Sequence, residues 1–235
     1  MSPSLFGVMG FFTIVMAEKI GLPLSSTLTK RKDVKEGDRA IPNNMQIETN
    51  TVVACFDAEY TARNETDKGI QEMIQCALII CQVDENGLWR QIDEYVTFVK
   101  PMYVPKLSEF IIQFTNIHQE DVDNAPLFTL VAEEIYQLIK KHKIDTVYVW
   151  GPDKPVLKYN MELTSYPIWK SRQILKKMCD VSTMVSSGLG VDYIMSQTHA
   201  CEELDIHPQG QQHNAYDDAR NLQQVMQKYI AIKKK

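Results

Sequence analysis

Asp57 and Glu59 stand two residues apart where the apolar run Val52 to Phe56 ends, and the alternation of strand side chains turns both to one side. An ionised carboxylate that continues a buried run is costly unless something positive compensates it. The pair therefore either emerges at a sheet edge as solvated acids or holds a cation. Asp153 follows a second apolar segment, Thr146 to Trp150, at the start of a helical pattern. That position suits a helix-capping aspartate, and a strand-to-helix junction suits a metal ligand as well. Asp218 shares one helical face with Leu222, Val225 and Tyr229, an inward stripe that is a poor place for a lone charge. Ala215 and Ala219, small and four apart, would let that helix approach a sheet closely and carry Asp218 towards the strand-end acids. Asp217 faces elsewhere and suits the helix N-terminus. His213 precedes the first turn, either on the surface or turned into the same cleft.

Four acids from three segments, with a histidine beside the last, share one explanation, a cation site. Hard divalent ions such as Mg²⁺ or Mn²⁺ bind carboxylate oxygens. Two of them about 3.5–4 Å apart can hold the attacking and leaving oxygens of a phosphodiester in one displacement.

Bringing these residues together requires a particular order of strands and helices. Val52 to Phe56 reads as a strand buried on both faces, hence central in a sheet. Ile74 to Val83 gives a second strand and, across the turn Asp84-Glu85-Asn86-Gly87, Trp89 to Val99 a third; the three predict an antiparallel meander. Helical spacing takes over from Leu127 to His142, with Lys140, Lys141 and Lys143 favourable at its C-terminal end. The strand Thr146 to Trp150 is broken by Gly151-Pro152. Helices are then expected from Asp153 to about Met161, from about Asp192 to Leu204 and from about Asn214 to Ile230. The pattern predicts a mixed α/β sheet flanked by helices rather than a bundle or a sandwich.

Three ordered motifs carry a family resemblance: FDAE (Phe56 to Glu59), WGPDKPVL (Trp150 to Leu157) and HNAYDDARN (His213 to Asn221), the last fitting H-x-A-x-x-D-A. Between the first two, LSEFIIQFTNIHQEDVDNAP (Leu107 to Pro126) is similar to a segment of one subgroup. From about Thr51 to Ile230 the chain resembles the DEDDh exonucleases of the DnaQ-like superfamily. The subgroup is that of the KapD-like sporulation inhibitors and the RNA exonucleases of RNA interference and histone-message decay. The resemblance implies a ribonuclease H-like fold, the meander extended by parallel strands. It implies a 3′-to-5′ exonuclease that releases nucleoside 5′-monophosphates from single-stranded ends, with RNA favoured over DNA. Asp57, Glu59, Asp153 and Asp218 would be ligands of two Mg²⁺ or Mn²⁺ ions, and His213 the general base, a role suited to a group that titrates near neutrality. Backbone at Ala58 and Tyr60 and the side chains of Glu72 and Met73 match positions that line the terminal-nucleotide pocket. Leu107, Phe110 and Ile111 offer either a stacking surface for a base or a core beneath a loop. The chain departs from the family twice. One residue is missing between Trp150-Gly151 and Asp153, and Tyr60 follows the glutamate where a small residue is common.

The 235 residues, 44% hydrophobic, fit one domain of roughly 150–200 residues, placed at residues 51–235, with an extension at 1–50. The extension is apolar from Leu5 to Ala17 and then polar. It is read as a peripheral, poorly ordered segment, an upstream start or a targeting signal. Its apolar run is too short for a bilayer span of about 20 residues, and no Lys or Arg precedes it as in a signal peptide. Five cysteines without a C-x-x-C pair predict a reducing, cytoplasmic compartment and no structural zinc. A net charge of −5 argues against a protein that coats nucleic acid by bulk positive charge, though not against a nuclease whose acids bind metal. Residues 154–177 carry six cations against Glu162 alone, which fits a solvated helix face or a phosphate-tracking surface. The expected partner is the 3′ end of a single-stranded nucleic acid; the sequence identifies no stable protein partner, and membrane association is disfavoured. A catalytically silent nucleic-acid-binding or protein-binding module on the same fold is the competing reading, with a nucleotide hydrolase behind it. All four acids and the histidine standing together favour the exonuclease.

Overall fold

β1 (Val52–Tyr60) is the central strand of a five-stranded sheet, as its unbroken apolar run requires. The computed structural model describes residues 50–233, and the expectations for the extension, including the run Leu5 to Ala17, lie outside the described residues. β1 pairs antiparallel with β2 (Met73–Val83), and β2 antiparallel with β3 (Trp89–Phe98), the expected meander. Asp84 closes the β2–β3 turn, its Oδ1 accepting from the N–H groups of Asn86 and Leu88. On its other side β1 pairs in parallel with β4 (Thr146–Val149), and β4 with β5 (Met178–Asp180), giving the order β3-β2-β1-β4-β5.

Three helices, α1 (Glu109–Thr115), α2 (Gln119–Asp123) and α3 (Phe128–Lys141), lead from β3 to β4. α4 (Asp153–Leu163) and α5 (Ile168–Leu175) lead from β4 to β5, and α6 (Ser182–Gly188), α7 (Gln197–Glu203) and α8 (Ala215–Lys233) follow. Strand alternation sorts the core into two layers. Ala54, Phe56, Ala58 and Tyr60 pack with Val131 and Ile135 of α3 and Val156, Leu157 and Met161 of α4. Val53 and Cys55 point the other way, onto Leu222, Val225 and Met226 of α8. Burying Leu222 and Val225 contributes about 1.5–3 kcal/mol each, which helps hold α8 against the sheet. Ala215 and Ala219, both fully buried, allow the close approach. A third, smaller cluster of Ala62, Ile74, Leu107, Ile111, Ile117 and Val122 seats α1 and α2. Asn160 pins α4 to the start of β2: its Oδ1 accepts from Met73 N–H, and its Nδ2 donates to the carbonyls of Gln71 and Val156, each at 2.9 Å.

The structure corrects several boundaries. β1 runs four residues past its expected end at Phe56, because β2 is long enough to pair with it as far as Tyr60, opposite Met73. Asp57 and Glu59 therefore lie within the strand, opposite Ala77 and Gln75. α7 begins at Gln197 rather than near Asp192, where Ser196 caps it by accepting from His199 N–H. α1, α2, α5, α6 and β5 have no counterpart in the expected element list, and each is too short for a periodic signal. The five cysteines are all free. Among the described residues no helix is long and apolar enough to cross a membrane.

Candidate active site

The face of β1 that carries Val53 and Cys55 into the α8 layer continues with Asp57 and Glu59, so strand parity aims both acids at the start of α8. Asp218 meets them there, one residue before the buried Ala219. One ligand atom from each of Glu59, His213 and Asp218 lies within 4.8 Å of the other two. Asp57 and Asp153 are outside that group of three but near enough for charge to couple them to it. Burial pushes the Asp57 carboxyl well above the usual range, and the charges of Asp153, Asp218 and Glu59 push it further. Glu59 is raised by burial, then by Asp218 and Asp153. Asp153, only 6% exposed, is raised by burial and by Asp180, against opposing hydrogen bonds from the Tyr60 hydroxyl and the Ala58 N–H. Burial lifts Asp218 to about 7 although the His213 N–H opposes the shift.

His213 is positioned from two sides. Its backbone N–H donates to Asp218 Oδ2 at 2.9 Å, which holds the residue at a left-handed φ of 63°. Its ring stacks on Phe114 of α1, with centroids 3.8 Å apart and 25° between the planes. Burial lowers the imidazole to about 4, so at neutral pH the ring is uncharged. The start of α8 is fastened to β2 by Gln75, whose Oε1 accepts from Ala215 N–H at 2.9 Å, while Gln197 donates to the Asp218 carbonyl. The motifs do not identify Gln75, Gln197 or Phe114. Gln75 carries a signal nonetheless, a polar residue within the apolar β2, since a buried polar group is informative. Nothing local places Phe114 beside a residue a hundred positions away.

The remaining expected residues divide. Ala58 and Tyr60 are directed to Asp153, the tyrosine hydroxyl donating to its Oδ1 at 3.4 Å. Glu72 turns away from the acids: its carboxylate accepts from the N–H groups of Met102, Tyr103 and Val104 at 2.7, 2.7 and 2.5 Å. Glu72 and Met73 line a separate cavity of about 350 Å³ with Lys100, Tyr103 and Asn160. Leu107 and Ile111 are core residues, whereas Phe110 is half-buried, stacks on Phe114 at 5.5 Å and has Lys68 Nζ 5.4 Å from its ring centre. Of the cations in 154–177, Lys170 pairs with Glu133, Lys158 with Glu162, and Lys154 donates to the Met178 carbonyl.

Clustered carboxylates whose charges oppose one another suit a hard divalent cation, which takes oxygen ligands and relieves their repulsion. The sign of the pH dependence follows. The folded carboxyls hold protons more tightly than the unfolded chain, whose carboxyls titrate near ~4. Metal-free stability is therefore fullest below the unfolded values and is lost as pH rises through the folded ones, about 7 for Asp218. A cation that binds the ionised form reverses the trend. The rise in melting temperature given by Mn²⁺ over chelator is expected to grow between about pH 5.5 and about pH 8. A rise that is the same at both would assign the ion to other ligands.

A mixed sheet in this order, with acids from its central strand, a strand-to-helix junction and its last helix gathered at one end, defines a ribonuclease H-like α/β domain. A sequence model described as "Exonuclease" (RNase_T) matches residues 54–226, and the chain belongs to that family. It is similar to the 3′-5′ exonuclease eri1 of Schizosaccharomyces pombe, 26% identical over 181 residues that cover 67% of this chain and 60% of the relative. It is 28% identical over 144 residues to the probable 3′-5′ exonuclease KapD of Bacillus subtilis, covering 59% of this chain and 68% of that one. Its fold matches the nuclease domain of 3′hExo, a DEDDh family member, bound to rAMP, with a TM-score of 0.69, 19% identity, and coverage of 78% of this chain and 93% of that one.

Proposed function

We propose that residues 51–235 form a divalent-metal-dependent 3′-to-5′ exonuclease. It hydrolyses the terminal phosphodiester of single-stranded nucleic acid, RNA in preference to DNA, and releases nucleoside 5′-monophosphates. The observation that carries this reading is the group of Glu59, Asp218 and His213, with Asp57 and Asp153 coupled to it by charge and every carboxyl raised by burial. The four acids would hold two Mg²⁺ or Mn²⁺ ions. Ions bound there supply Lewis acidity to the scissile phosphate and counter-charge to the departing oxygen. Burial lowers His213 to about 4, away from the expected titration near neutrality. It would therefore accept a proton from the attacking water as an uncharged but weaker base than a free imidazole, its ring stacked on Phe114. Phe110, half-buried beside Phe114 with Lys68 over its ring, would offer a base only the part of the ring those neighbours leave open. The preference for RNA rests on the subgroup resemblance of the segment Leu107 to Pro126.

The test is incubation with 5′-labelled RNA and DNA strands carrying free or blocked 3′ ends, in Mn²⁺ or in chelator. The expected result is stepwise shortening of free 3′ ends, faster on RNA, and none in chelator. Tight binding without cleavage would support the silent module. Faster hydrolysis of free nucleotides than of the strands would support a nucleotide hydrolase.

A further inference from the structure

Tyr60 of β1 and the junction before α4 converge on one carboxylate, that of Asp153. Asp153 opens α4 directly after Trp150-Gly151-Pro152, and the capping residue Pro152 supplies no side-chain hydrogen bond to the helix start. The junction is braced from the β5 side. Asp180 Oδ1 accepts from Gly151 N–H at 2.9 Å and from Ser182 N–H at 3.0 Å, and Gly151 takes the left-handed φ of 82° that the tight turn requires. That brace fixes the backbone but makes no bond to the Asp153 carboxylate, whose orienting torsion is intrinsically broad.

The carboxylate is held from β1 instead. The Ala58 N–H donates to it, and the Tyr60 hydroxyl donates to Oδ1 at 3.4 Å, across 93 residues of chain. The tyrosine ring is 8% exposed and belongs to the layer packed against α3 and α4, so its hydroxyl has a fixed origin. We propose that Tyr60 is a positioning residue for Asp153, its hydroxyl setting the carboxylate plane that the junction's backbone brace does not set. This rests on Asp153 being a metal ligand, as in the proposed function. Losing a group that orients a ligand typically costs about 10–100-fold in metal affinity or activity. A 3.4 Å bond is long for a hydroxyl donor, which places the effect near the lower end.

Tyr60→Phe removes the hydroxyl and keeps the ring, and unchanged melting in chelator would show that the fold is kept. Mn²⁺ titration without substrate, followed by calorimetry, is expected to show affinity about tenfold weaker than in the unaltered protein. Turnover should fall with KM unchanged and recover at excess Mn²⁺. Adding Tyr60→Phe to Asp153→Asn should weaken Mn²⁺ binding no further, because the two changes remove one interaction. A role in packing alone predicts no change in the titration. Equal Mn²⁺ affinity in the unaltered and Tyr60→Phe proteins would overturn the inference while the exonuclease reading stands. So would a raised KM at equal affinity, which would put the hydroxyl on the nucleotide. An unaltered protein that neither binds Mn²⁺ nor shortens 3′ ends would overturn both.

Discussion

Asp218→Ala is expected to lower turnover on the order of 10³-fold or more, beyond the 10–100-fold typical of losing a residue that only supports a metal ligand. Two effects combine in that loss. The carboxylate belongs to the group of Glu59, His213 and Asp218, and the same side chain holds the His213 N–H through Oδ2. Asp218→Asn separates them, because the amide oxygen can still accept that N–H while the charge is gone. Loss of most activity in the asparagine variant would assign the effect to charge. The stability change should run the other way. Since folding raises the Asp218 carboxyl to about 7, its ionised form opposes the metal-free fold, and either variant should melt no lower than the parent in chelator at about pH 8. Asp57→Ala should behave alike, because its carboxyl is raised by burial and by the same neighbours. Near-normal turnover in either alanine variant, with the fold intact, would remove the basis for the exonuclease reading.

His213→Ala is expected to lower kcat by about 10²–10⁴-fold, the usual share of a general base, with little change in Mn²⁺ affinity. The pH profile of the parent enzyme adds a sharper check. Burial holds the imidazole near 4, so above that value the base is already unprotonated. The fall in rate on the acid side should then reflect carboxyls such as Asp218, and it should move to lower pH as Mn²⁺ is raised, because the ion competes with protons for the same oxygens. A limb that stays near about 6.5, the ordinary value for histidine, at every Mn²⁺ concentration would instead assign it to His213.

Much of this site is legible in the sequence because its acids violate local rules. Asp57 extends an apolar run, and Asp218 sits beside an inward stripe, so each announces a compensating partner. The meander was equally legible, since β1 and β2 are apolar enough to belong inside a sheet and Asp84 begins a recognisable turn. What stays hidden depends on contacts between distant positions. β5 is three residues long and exists only through its pairing with β4. The stack of Phe114 on His213 and the bond from Tyr60 to Asp153 join segments that share no periodic pattern. Glu72 illustrates the opposite case. Its position matches a pocket residue, yet its carboxylate gathers three backbone N–H groups of the loop after β3, a use that no motif could disclose.

The alternation along β1 has a further consequence for how this domain can vary. Core residues and acids occupy one continuous zigzag between two fixed neighbours, β2 and β4. Adding or removing a single residue between Val52 and Phe56 would exchange the two sides, delivering Asp57 and Glu59 into the oily layer beneath α3 and presenting aromatic and methyl groups to α8. Such a chain would fail as a folded object before it could be tried as a catalyst. A change of length is therefore better tolerated in the loops than between Val52 and Phe56.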